Sequence, residues 1–171
     1  MVSACGSSSP SSKAAVSPTP TPTPKATQIS SVDACTLVTA ADASTAAGVT
    51  VTNPGSAGPQ VPGACIYISA DGATSVFVIA NAYPDASSAD ALSPEQLAAA
   101  FSGVYGITNA KPVSGIGDKA VEYTATATAS GTTGAVIFVF KANVIMVIAI
   151  SPLTDTTKLE DLARTAVGNL H

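Results

Sequence analysis

Histidine occurs once in this chain of 171 residues, as His171 at its end, and tryptophan is absent. The near-absence of histidine excludes most nucleophilic hydrolase chemistry, because Ser/His/Asp and Cys/His arrangements need an imidazole inside the fold. Zinc sites are excluded too, since they take several His or Cys ligands that the chain cannot supply. Charge is scarce, at 11% of residues. The acids are scattered, with Asp85 and Asp90 on one expected loop and Asp155, Glu160 and Asp161 near the C-terminus. No Asp-x-Asp-x-Asp run of a calcium loop occurs among them. Asp118 and Glu122 share one face of a candidate strand, but four strand residues separate them by about 13 Å, too far for paired-carboxylate glycoside hydrolysis. No catalytic residue, metal site or cofactor is therefore expected, and the chain reads as a non-enzyme.

Positive charge is short as well. Lys13 and Lys25 fall in the N-terminal segment, which leaves five basic against eleven acidic residues after position 31, a formal charge of −6. Such a domain repels a phosphate backbone, so nucleic acid is not an expected partner. The longest apolar stretch, 135–150, is interrupted by Lys141 and Asn143 and falls short of the ~20 residues of a membrane-spanning helix.

What the chain does carry begins at Val2-Ser3-Ala4-Cys5, followed by a Ser-rich stretch and Pro18-Thr19-Pro20-Thr21-Pro22-Thr23-Pro24. These four residues resemble the lipobox of bacterial lipoproteins: aliphatic, small, Ala or Gly, then the modified Cys. The resemblance implies a lipid-anchored, extracytoplasmic protein, with Cys5 as the acylated residue. Two or more acyl chains anchor lastingly, whereas one holds only marginally. A signal peptide carries a basic region and an apolar stretch before its cleavage site. Only four residues precede Cys5, so the expected leader lies upstream or has been trimmed.

Residues 1–5 thus read as a signal remnant, 6–31 as a disordered Ser/Thr/Pro tether and 32–171 as one globular domain. The Thr-Pro alternation favours extended polyproline II and is also a candidate for O-glycosylation. Cys35 and Cys65 form an even pair in a chain expected to be exported. They lack CxxC spacing and a nearby His, so a disulfide is expected that pins an N-terminal helix to the first main strand.

Within the domain, Asp33 is a candidate cap for a helix that runs to Gly48. Strands are expected at 49–52, 65–69 and 75–82, the last two joined by a turn at Asp71-Gly72. Ser93-Pro94-Glu95-Gln96 has the form of a capping box, opening a helix to about Tyr105 that buries Leu97, Phe101 and Val104 or Tyr105. Further strands are read at 107–112, 120–126, 135–140 and 144–151. Their consecutive apolar residues require cover on both faces of at least one. Asp155 caps a last helix, in which Leu159, Leu162, Ala163, Ala166 and Leu170 recur at helical spacing. The order αββ(β)αββββα predicts an α+β fold, a mostly antiparallel sheet with helices packed on it. Gly115-Ile116-Gly117-Asp118 lacks the Lys-Ser/Thr of a phosphate loop and leads into a strand, so it reads as a turn.

The series Asp33-x-Cys35-x-Leu37, Cys65-Ile66-Tyr67, Gly115-Ile116-Gly117-Asp118-x-Ala120, a Lys-x-Asn hairpin and a Leu-rich final helix resembles small secreted actinobacterial lipoproteins of unknown function. That resemblance implies a cell-envelope location, a structural disulfide and no assigned activity. Two functions follow as expectations. One is an envelope-tethered binding or interaction module that contacts a protein, peptide or cell-wall component through the loops at 53–63 and 85–93. The other is a carrier of a lipid or other hydrophobic ligand, signalled by an apolar pocket. Tyr67, Tyr83, Tyr105 and Tyr123 read as half-buried sheet residues rather than recognition aromatics.

Overall fold

Strands rich in Val, Ile and Phe at alternate and consecutive positions dominate the computed structural model, which describes Met1 and residues 28–55, 63–153 and 155–171. The elements in chain order are α1 (Ala34–Leu37), α2 (Ala40–Ala47), β1 (Val51–Thr52), β2 (Ala64–Ser69), β3 (Ser75–Ala82), α3 (Ala86–Asp90), α4 (Pro94–Phe101), β4 (Tyr105–Pro112), β5 (Lys119–Ala127), β6 (Thr133–Lys141), β7 (Val144–Ser151) and α5 (Thr156–Gly168). All strands pair antiparallel in one seven-stranded sheet of order β1-β2-β3-β7-β6-β5-β4. The fold is α+β, as the alternation of patterns implies.

Two cores lie on opposite faces of this sheet. On the first, Val78, Ile137, Val139, Met146 and Ile148 meet Leu37 of α1, Ala43 and Ala46 of α2, and Leu159, Leu162 and Ala163 of α5. On the second, Val121, Tyr123, Phe138, Phe140, Ile145 and Val147 meet Ala89 of α3 and the half-buried Leu97 and Phe101 of α4. β6 and β7 therefore bury consecutive residues because both of their faces are covered. Each fully buried Leu, Ile or Phe contributes about 1.5–3 kcal/mol.

Local chemistry explains where the elements differ from expectation. The first helix is two helices, because Thr39 forms a capping box with Asp42 and starts a new one; the Asp42 carboxylate also accepts from Thr39 N at 3.0 Å. Val38, between them, is extended, and its carbonyl accepts from Tyr67 Oη. β1 keeps only Val51 and Thr52, and Val49 is exposed. α4 stops at Phe101 rather than Tyr105, and Tyr105 opens β4 instead. The segment 85–93, expected as a loop, contains α3, whose first turn is capped by Asp85 accepting from Ser88 N at 2.7 Å. β3, β7 and the Asp155-capped α5 form where the patterns place them, although Leu170 lies just past α5 and is half-buried.

Cys35 in α1 and Cys65 in β2 are joined as a disulfide, with Cα atoms 5.0 Å apart. The Asn53 amide donates toward the Cys65 sulfur at 3.1 Å. The Gly115–Asp118 segment is a turn on the first core. Ile116 is buried there, and Gly117 sits at φ +60°, where a Cβ would lie 2.5 Å from the Phe140 carbonyl oxygen. Asp118 then clamps the β6–β7 hairpin, accepting from Ala142 N at 2.7 Å and from Lys141 Nζ at 2.8 Å. These bonds, the backbone one foremost, hold its carboxyl below the usual carboxylate range.

Candidate functional site

The side chains of the second face are small at one end of the sheet. Along β7 the residues facing α4 run Ile145, Val147, Ala149, Ser151; along β6 they run Phe140, Phe138, Val136, Gly134; along β5 they run Val121, Tyr123, Ala125. The antiparallel register brings the small ends together, pairing Ala125 with Gly134, Val136 with Ala149, and Ser75 with Ser151. At the bulky end the rings fill the space, with Phe138 5.5 Å from Tyr123 and 6.1 Å from Phe101, centroid to centroid. At the small end Ala100 and Phe101, in the last turn of α4, line the space left by these small residues.

The result is a partly open cavity of about 360 Å³. Phe77, Ile107, Val136, Val147 and Ala149 line it from the sheet, and Ala100 and Phe101 line it from α4. Val104 and Tyr105 stand at the rim, 60% and 38% exposed. Lining residues come from β3, β7, β6, β5 and β4, five neighbouring strands, which at about 4.8 Å per strand span about 19 Å. Gly134 is required by close approach: a Cβ there would collide with the Ile150 carbonyl oxygen and press on Ser151.

Among the described residues the lining contains no charged side chain. Its side-chain polar groups are the hydroxyls of Ser75, Ser151 and Tyr105. Such a surface holds an apolar ligand by burial and offers a few hydroxyls to orient it. No general acid, base or nucleophile with an activating partner lines it.

Several titratable groups lie outside the cavity. Glu122, buried on the first face, has an Oε2 without a hydrogen-bond partner among the described residues. Burial raises its pKa, opposed by Lys111 and the Thr156 hydroxyl and assisted by Glu160. Glu160 itself pairs with Lys111 at 3.2 Å and with Arg164 at 3.1 Å. Asp118, in the turn before β5, belongs to the hairpin clamp, so the structure does not join it with Glu122 in one site. Tyr123 Oη is also buried without a hydrogen-bond partner among the described residues, and its pKa is raised by burial first and by Glu95 second. Among the described residues no three His, Cys, Asp or Glu side chains gather as a metal site.

Cys5, the expected lipid attachment, lies outside the described residues, as do 56–62 of the loop expected as a contact surface. Cys35 and Cys65 come together as the structural disulfide. Of the tyrosines, Tyr67 and Tyr123 are buried and Tyr83 is half-buried, whereas Tyr105 is a rim residue of the cavity. Of the cavity residues, Phe101 is expected from sequence on the buried face of α4, whereas Phe77, Ala149 and Ser151 fall within expected strands with no role assigned. The small residues Ala125, Gly134 and Ala149 at one end of β5, β6 and β7 are the signal that marks this end.

No protein-family model matches the chain, and no curated protein matches it. Among solved structures it is similar to the extracellular domain of PknH from Mycobacterium tuberculosis, with 13% identity, a TM-score of 0.47 and 61% of each chain covered. A likeness that partial assigns neither family nor function.

Proposed function

We propose that this domain is an extracytoplasmic binding module that takes an apolar ligand in the cavity beneath α4. The cavity carries the reading: about 360 Å³ with an uncharged lining falls within the range of about 300–1,000 Å³ typical of small-molecule sites. The Cys35–Cys65 bridge supports a location outside the reducing cytoplasm. Residues Val2 to Cys5 supply the attachment in this reading, with lipid on Cys5 holding the domain to the membrane face and the Ser/Thr/Pro segment as its tether. Among the described residues no helix is long and apolar enough to cross a membrane. Contact with a protein, peptide or cell-wall component through loops gains no comparable geometry, since 85–93 is largely helical. The role is binding rather than catalysis.

Saturable fluorescence enhancement of N-phenyl-1-naphthylamine tests the cavity, and the absence of Trp leaves the signal unobstructed. Ala149 lies between Phe77 and Val136 in the sheet, so Ala149→Phe fills the space without removing a core contact. The variant should lose probe binding at least about tenfold while keeping its fold, as expected when apolar burial is denied to a ligand. Equal binding by a folded Ala149→Phe protein, or no binding by the parent, refutes the reading. Cys5→Ser should release the protein from membranes, and unchanged membrane retention refutes the anchor.

A further inference from the structure

The charges of the domain are distributed with a bias that bears on what the cavity accepts. Lys111, Lys119 and Lys141 sit at the end of the sheet remote from Ser75, Ser151 and Gly134, as the strand register requires. Lys111 is occupied by Glu160, Lys141 by Asp118, and Lys119 lies over the Phe140 ring at 4.1 Å. Lys158 and Arg164 belong to α5, which covers the opposite face. Among the described residues, Asp71 in the β2–β3 turn lies near the cavity end in the chain but does not line the cavity, and Asp155 caps α5 on the opposite face.

We infer that the ligand is an uncharged amphiphile: an alkyl or acyl chain laid across the five strands, with a hydroxyl, ester or amide head at the Ser75–Ser151 end. The inference rests on the binding reading above and narrows its ligand class. A carboxylate or phosphate head brought to this end meets no cation among the described residues. An ammonium head meets no carboxylate in the lining. Either charge is desolvated unpaired, which is far costlier than burying a hydroxyl that finds a partner. Ser75 and Ser151, register neighbours on β3 and β7, supply two hydroxyls able both to donate and to accept. The roughly 19 Å span of five strands suits a chain better than a compact ring system.

The test is displacement of bound N-phenyl-1-naphthylamine from the full chain by four ligands of equal chain length: a monoacylglycerol, the free fatty acid, the alkylamine and the plain alkane, each below its micellar concentration. The monoacylglycerol should displace the probe at a concentration at least about tenfold lower than the ionised acid or amine, a discrimination well within the cost of burying an unpaired charge. The fatty acid should gain affinity as pH falls and its carboxyl protonates. Ser75→Ala combined with Ser151→Ala should weaken the monoacylglycerol several-fold and leave the alkane unchanged. Tighter binding of the ionised acid or the amine overturns the inference and leaves the cavity reading intact. Loss of alkane and monoacylglycerol alike in the serine variant overturns the placement of the head. If none of the four displaces the probe and Ala149→Phe binds the probe as the parent does, the cavity reading itself fails.

Discussion

Opening the Cys35–Cys65 bridge gives the most direct energetic test of this fold. The bridge spans 30 residues. In the chain-entropy relation a loop of that size removes about 12 cal/mol/K from the unfolded ensemble, which at 25 °C is about 3.6 kcal/mol. For a domain of roughly 140 residues, at about 3–4 °C per kcal/mol, that corresponds to a fall in Tm of about 10–15 °C. The folded state adds little to this figure. Cys65 is buried against β3, and the sulfur removed by Cys→Ala leaves a small void and an Asn53 amide short of its contact. The reduced parent and a Cys35→Ala/Cys65→Ala variant should therefore lose similar amounts. Urea titrations followed by far-ultraviolet circular dichroism measure both ΔG and the slope m. The slope should rise when the bridge opens, because the freed unfolded chain exposes more surface. A loss below about 1 kcal/mol with an unchanged slope would refute the reasoning, since the bridge would then not be constraining the unfolded chain.

Three further outcomes follow from particular residues. Glu122→Gln should stabilise the domain at neutral pH by about 1 kcal/mol, because it removes a charge that burial disfavours while keeping the shape of the side chain. The sign follows from linkage: a carboxyl whose pKa is raised in the fold costs nothing below its ordinary value of 4.5 and destabilises progressively as pH rises toward the raised value. The difference in stability between Glu122→Gln and the parent should therefore grow from acid to neutral pH, and a pH-independent difference refutes the assignment. Asp118→Asn should act in the opposite sense. Its lowered pKa contributes stability present above the ordinary carboxylate value and lost as pH falls, so the variant should show a weaker acid-side decline in thermal melts. Gly117→Ala should destabilise by about 2 kcal/mol or more in the same melts, because it adds a Cβ at positive φ within 2.5 Å of the Phe140 carbonyl oxygen.

Much of the fold is legible in residues whose effect is local. Asp155 before a run of Leu and Ala at helical spacing, Ser93 three residues ahead of Gln96, and Asp71-Gly72 between two alternating runs each determine an element whatever surrounds them. The consecutive apolar residues of β6 and β7 announced a strand pair covered on both faces, and the pairing of Cys35 with Cys65 followed from their number and expected compartment. That His171 is the one imidazole of the sequence was likewise legible without a structure. The cavity needed the tertiary structure. Ala125, Gly134, Ala149 and Ser151 are unremarkable one at a time. They make a void only because the register of three antiparallel strands stacks them at one end of the sheet, and because α4 ends at Phe101 directly above. Where α4 ends, and whether Tyr105 continues a helix or pairs with Ala127 across β5, was decided by strand pairing, a long-range contact that local propensity does not encode.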